Sequence, residues 1–231
     1  MRYKLLIFDV DDTLFDYSKT ERRALQLVCN DYSIDLPGDI LYKNYKIANK
    51  TAHEEIGEIT IENLPLFRKM RIKYFFSLLE IKCNEPDVFY KTMLLYSRQG
   101  DLIDGVYDTL SVLDNRILVA ATNGTDFPRK DKLENSIIAS FFNAFYSSES
   151  LGVSKPHPAF LGTILSKYDV SRKEVLVIGD SLCTDILCAQ NIGVHSCWFN
   201  WKKTEKTSDI VVPNYVINSF EELLLVLREN N

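Results

Sequence analysis

Two carboxylate groupings stand out, each placed directly after a short apolar run. Asp9, Asp11 and Asp12 follow LLIF in FDVDDTL, and Asp180 and Asp185 close VLVIGDSLCTDI. Neighbouring carboxylates repel, so two strands delivering them to one cleft require a compensating cation. Hard oxygen donors at this spacing suit Mg²⁺, which takes few carboxylates and keeps room for a phosphate. A third apolar run ends in AATNGT. There Thr122 offers a hydroxyl, and Asn123 and Gly124 offer turn N–H groups able to cradle phosphate oxygens. Lys155 stands immediately before Pro156 in SKPHP, placed to neutralise both a phosphate and the carboxylate cluster. The competing reading is helix capping for the Asp residues, Asp12 above all, and a solvated lysine for Lys155.

The elements that must position these groups follow from hydrophobic patterning. Continuous apolar segments at 4–10, 116–122, 144–147, 174–179, 193–199 and 210–212 read as strands of a parallel sheet buried on both faces. Helical patterns lie between them, at 107–113, 128–140, 156–168, 184–190 and 220–228. The last opens on Ser219 with Glu222 three residues on, a capping-box spacing. Such alternation predicts an α/β, doubly wound, three-layer domain. In that fold the loops beyond the carboxyl ends of the strands carry the site.

One stretch breaks the alternation. Residues 18–95 contain only helical patterns, far more than a crossover needs. This predicts an inserted helical domain within a core made of residues 1–17 and 96–231. With 231 residues, 46% of them apolar, the chain can bury a core of this size. A net charge of −5 gives no positive footprint for polymeric nucleic acid. Five cysteines and three histidines lack metal-site spacing and read as ordinary thiols of a reducing compartment. No apolar run approaches a membrane span, and the start MRYKLLIFD is too short in apolar residues for a signal-peptide core. A soluble cytoplasmic protein is expected.

Taken in order, FDVDDTL, ATNG, SKPHP and GDSLCTDI resemble the four motifs of the haloacid dehalogenase-like (HAD) hydrolase superfamily, and the helical insert resembles its C1-type cap. The resemblance implies that Asp9 is a nucleophile attacking phosphorus, and that Asp11 is a general acid and then a base. It implies further that Asp9, the Asp11 carbonyl and Asp180 hold Mg²⁺, while Thr122, Asn123 and Lys155 bind phosphoryl oxygens. Asp185 would orient Lys155 or a metal-bound water, and Thr13 would support the turn. Dehalogenases of the superfamily lack an acid at the Asp11 position, so phosphate transfer is expected instead.

The texture of MRYKLLIFDVDDTLFDYSKTERRAL, TNGTD and GDSLCTDILCAQNIG is similar to the nucleotidases acting on pyrimidine and non-standard nucleoside monophosphates. The expected substrate is therefore a small phosphorylated metabolite, a nucleoside 5'-monophosphate. A sugar-phosphate phosphatase or phosphomutase, and a non-catalytic phosphate-sensing or partner-binding protein, are the alternatives; the chain is a monomer or a homodimer. Phe15 is the candidate for stacking on a base. Phe67, Tyr74 and Phe75 are expected in the core of the insert, Asn44, Asn49 and Arg71 on solvated helix faces, and His157 at a helix start.

Overall fold

The run LLIF forms β1 (Leu5–Phe8), every residue of which is buried, as a strand covered on both faces requires. The computed structural model describes residues 2–60, 62–205 and 210–228. Around β1 lie β2 (Ile117–Thr122), β3 (Ala144–Ser147), β4 (Val175–Gly179), β5 (His195–Phe199) and β6 (Tyr215–Ile217). They form one sheet in the order β3-β2-β1-β4-β5-β6. Every pairing is parallel. The order reverses beside β1, with β2 on one side and β4 on the other, so the loops after these three strands open at one switch point.

The chain divides into two compact units, Met1–Tyr17 with Gly100–Asn231, and Ser18–Gln99. In the first, the sheet has a hydrophobic cluster on each face. Phe8, Leu118, Ile178 and Phe199 point to one, where α10 (Glu222–Arg228) packs through Leu223 and Leu227. Ile7, Val119 and Val177 point to the other, with Phe160 and Ile164 of α8 (Pro158–Leu165) and Cys188 of α9 (Leu187–Ile192). The alternation of odd and even residues between the two faces is the strand period of two. Helices α5 (Val106–Ser111), α6 (Asp126–Glu134) and α7 (Ser148–Leu151) complete this unit.

The second unit contains α1 (Tyr17–Asp31, whose first residue belongs to the core unit), α2 (Gly38–Ile56), α3 (Leu64–Leu78) and α4 (Pro86–Tyr96). Its own core gathers Val28, Leu41, Tyr45, Phe75 and Phe89. Phe67 is buried and Tyr74 packs against the core from its edge. Arg71 departs from the expected solvated face. It is 8% exposed, donates to Asn49 Oδ1 at 3.1 Å, and lies over the rings of Tyr45, Phe67 and Tyr90. A helix-surface assignment from spacing misses this because rings from three different helices, α2, α3 and α4, close over a guanidinium, which tolerates aromatic faces. Asn44 stays on its helix, donating to Ile40 O.

Several element boundaries differ from the sequence reading. The last strand is Tyr215–Ile217, not Ile210–Val212. Pro213 has no N–H to donate to a ladder, and it is Tyr215 that pairs with Cys197. α8 starts at Pro158, with the His157 ring accepting the Ala159 N–H as cap, rather than at Pro156. At the C-terminal helix, Glu222 accepts the Asn218 N–H rather than that of Ser219 among the described residues. α7 was not anticipated; it is a single turn closed by a Ser147–Ser150 capping box. The charged run Lys202–Asp209 lies partly outside the described residues. All five cysteines are free thiols.

Candidate active site

Asp9 is the first residue beyond β1, and its N–H donates to Ile178 O of β4 at 2.9 Å, so backbone pairing itself aims the residue toward the neighbouring strand end. Asp180 follows β4 directly. Asp185 sits in a π-helical turn, Leu182–Ile186, which leads into α9. One oxygen each of Asp9, Asp180 and Asp185 lie within 4.8 Å of one another.

Lys155 enters this cluster from the loop before α8. Its Nζ donates to Asp9 Oδ1 at 2.6 Å, to Asp185 Oδ1 at 2.6 Å and to Ala121 O at 2.9 Å. All three ammonium protons therefore have acceptors, which is what a buried lysine needs. The loop carrying Lys155 is fastened to the end of β2 by Asn123. Its side chain accepts the Lys155 N–H at 2.8 Å and donates to Lys155 O at 2.9 Å. Thr122, at the end of β2, is nearly buried. The Gly124 N–H donates to Ser148 Oγ at 2.7 Å.

The electrostatics follow from one cation among three acids. Burial, joined by the charge of Asp185, raises the Asp9 carboxyl well above the usual range although Lys155 pulls the other way. Burial and the charges of Asp9 and Asp185 push Asp180 up to about 8. Burial works against the charge on Lys155, but the flanking Asp185 and Asp9 carboxylates hold its pKa above the ordinary lysine value. The cluster thus has a deficit of positive charge and offers only oxygen donors, which fits Mg²⁺. Asp9 retains Oδ2 for such an ion, and Asp180 has no side-chain bond competing for its carboxylate among the described residues. Asp185 differs: Oδ1 takes Lys155 and Oδ2 takes the Ser181 N–H at 3.1 Å. It anchors the lysine.

Asp11 points elsewhere. Arg129 Nε donates to its Oδ2 at 2.8 Å and Lys132 Nζ to its Oδ1 at 2.6 Å. Its carboxyl, although partly buried, is held below the usual range by these two cations. The Asp11 side chain therefore has no oxygen free of a cation. Neither Arg129 nor Lys132 was singled out from sequence; the signal available was two basic residues three apart just after the TNG loop.

One expectation is corrected here, that for Phe15, and Asp12 does cap a helix, as its competing reading had it. Phe15 has no exposed surface and belongs to the core under the sheet, where it cannot stack on a base. Its backbone is bridged to Asp11 and Leu102, which draws the ring inward. Thr13 is fully buried and its hydroxyl finds no hydrogen-bond partner among the described residues, so it supports the turn by packing alone. Asp12, with φ of 62°, caps the start of α1 by accepting the Tyr17 N–H, and pairs with Lys202 at 2.7 Å.

Comparison with known proteins places this geometry. Residues 6–199 match the family described as haloacid dehalogenase-like hydrolase. The chain is 32% identical over 238 residues to the Bacillus subtilis protein YfnB, named as a HAD-hydrolase, covering 100% of this chain and 97% of that one. The crystal structure of YfnB bound to magnesium superposes with a TM-score of 0.84 and 29% identity, covering 98% of this chain and 99% of that chain. Pyrimidine 5'-nucleotidase PynA of Streptococcus pneumoniae is 30% identical over 235 residues, with 100% and 97% covered. Glyceraldehyde 3-phosphate phosphatase of Pyrococcus furiosus is 28% identical over 244 residues, with 100% and 95% covered.

Proposed function

The chain belongs to the haloacid dehalogenase-like hydrolases, and from that premise we propose that it is a Mg²⁺-dependent phosphomonoesterase acting on nucleoside 5'-monophosphates. The observation that carries the reading is the bridge from Lys155 to both Asp9 and Asp185 beside Asp180. It leaves one carboxylate, Asp9, both oriented by a cation and open toward a second one.

In this reading Asp9 Oδ2 attacks phosphorus and forms an aspartyl-phosphate, while the bond to the leaving oxygen breaks with its electron pair. Asp11, here paired with Arg129 and Lys132, would have to leave one of them and take up a proton before giving it to that oxygen. It then takes one from the water that attacks the phosphoryl group and regenerates Asp9. Lys155 and the Thr122–Asn123 loop bind the phosphoryl oxygens. Asp9, Asp180 and the Asp11 carbonyl would hold Mg²⁺, which when bound lowers the repulsion between the attacking carboxylate and the phosphoryl group.

Two relatives of nearly equal similarity bear on the substrate. PynA supports a pyrimidine nucleoside monophosphate, and the Pyrococcus furiosus phosphatase supports a triose phosphate. We favour the nucleotide because the sequence texture of the first and fourth motifs agrees with it. No helix of the described residues is long and apolar enough to cross a membrane. The test is phosphate release with Mg²⁺ across nucleoside monophosphates, triose phosphates and hexose phosphates. Highest kcat/KM on a pyrimidine nucleotide is expected. Highest kcat/KM on glyceraldehyde 3-phosphate would replace this substrate with the other, and an isomeric phosphate without release would replace the phosphatase with a mutase.

A further inference from the structure

The chain has two tryptophans, and both indoles end on main-chain carbonyls beside the acidic cluster. Trp198 lies in β5 opposite Gly179 of β4, and its Nε1 donates to Asp180 O at 2.7 Å. Its side chain is buried with Leu182 and Ile186, which belong to the turn that carries Asp185. Trp201 stands in the turn after β5, its ring stacked on Phe199, and its Nε1 donates to Asp12 O at 2.8 Å. Asn200 closes that turn, accepting the Thr204 N–H at 2.8 Å and donating to Thr204 O at 3.0 Å. The φ of 62° at Asp12 is one that a residue with a Cβ keeps only when its surroundings fix it. Each of its polar atoms is engaged. The N–H donates to Phe15 O at 2.7 Å, Oδ1 accepts the Tyr17 N–H, Oδ2 pairs with Lys202, and the carbonyl takes Trp201. The Asp12 N–H and the Asp11 carbonyl belong to one planar peptide, so these bonds also set the direction of that carbonyl.

We propose that Trp198 and Trp201 are positioning residues for the metal site, fastening the loops after β4 and β1 so that Asp180 and the Asp11 carbonyl stay in place beside Asp9. The inference rests on the reading of those three groups as the Mg²⁺ donors. Asp9, Asp180 and Asp185 repel one another whenever they are ionised, which acts to spread the two loops. A cationic tether would hold the loops together but would also repel the incoming Mg²⁺. An indole N–H carries no net charge, and packing fixes the ring behind it, so it holds a carbonyl without weakening the attraction of the site for a cation. Groups that orient metal ligands from behind matter to affinity almost as the ligands do.

The test is direct binding of Mg²⁺ to the metal-free full chain, measured by calorimetry at one pH, with thermal melts of the metal-free protein beside it. Replacing Trp198 by 3-benzothienylalanine keeps the fused ring and its packing and removes only the N–H donor. It should weaken Mg²⁺ binding about 10-fold, the low end for loss of a group behind a metal ligand, while the melting temperature stays close to that of the parent. The same replacement at Trp201 should weaken Mg²⁺ binding to a similar extent through the Asp11 carbonyl. Trp198→Phe, which also loses ring volume, should lower the melting temperature and weaken Mg²⁺ binding at least as much. Unchanged affinity after replacement of either indole overturns the assignment for that residue, whatever the melts show. Asp180→Asn separates the two layers. If it weakens Mg²⁺ binding and the indole replacements do not, the positioning inference alone fails; if Asp180→Asn binds Mg²⁺ as tightly as the parent, the reading of the metal donors fails and takes the inference with it.

Discussion

Gly179 and Asp185 are packed so closely that a Cβ on Gly179 would lie 2.4 Å from Asp185 Cγ. The contact joins the last residue of β4 to the carboxylate that anchors Lys155. Asp185 itself is 2% exposed and has no room to retreat. Close approach here is a requirement on residue 179, and the absence of a side chain meets it.

Gly179→Ala should therefore act through Lys155. We expect a loss of about 1–3 kcal/mol from overpacking, together with loss of phosphatase activity as Asp185 is pushed off the lysine. Denaturant melts and kcat measurements on the same variant check both parts. A variant that is destabilised yet fully active would show that the Asp185–Lys155 contact is dispensable for chemistry.

Lys155→Met removes the cation from between two buried carboxylates. Leaving buried charge without its partner costs about 3–5 kcal/mol, and Asp9 and Asp185 would both be left so. The expected result is a lower denaturation midpoint and no measurable turnover. Because the cost comes from the uncompensated carboxylates, addition of Asp185→Asn should return part of the stability without returning activity.

Asp9→Asn keeps the shape of the site and removes the attacking carboxylate. Release of phosphate from an aryl phosphate should fall to the level of the buffer with Mg²⁺. Retained turnover would remove Asp9 from the nucleophile role.

Stripping divalent metal should abolish turnover, and the metal-free protein should show a defined dependence on pH. Asp180 has its folded pKa raised to about 8, against about 4 when unfolded. Between these values the folded state holds more protons than the unfolded state, so stability falls as pH rises through this window. Cation binding requires the deprotonated carboxylates. Mg²⁺ should thus bind more tightly at pH 8 than at pH 6 and release protons as it binds. Thermal melts with and without Mg²⁺ at several pH values check the sign. A melting temperature of the metal-free protein that climbs steadily from pH 5 to pH 8 would contradict the account.

How much of this was legible in advance depends on the range of the interactions involved. Asp9 and Asp180 were readable because each ends an apolar run, and a parallel sheet places such residues at one edge whatever the remaining details. Lys155 was readable as a cation near that edge. The helical character of the insert followed from its residue pattern, since helix contacts are local. The last strand was misplaced because apolarity marked Ile210–Val212, whereas the pairing with β5 selected Tyr215–Ile217.

By itself the amino-acid order determined the alternation of strands and helices, the carboxylates at the strand ends and the resemblance to a hydrolase family, because all of these depend on neighbours in sequence or on motif spacing. Only the tertiary structure decided which charges meet. It brought Arg129 and Lys132 to Asp11 across more than a hundred residues, closed Asp185 over Gly179 around Lys155, and drew Phe15 out of reach of any substrate. The physical reason is that burial sets the strength of a charge contact and the position of a ring, and burial is a property of the packed whole.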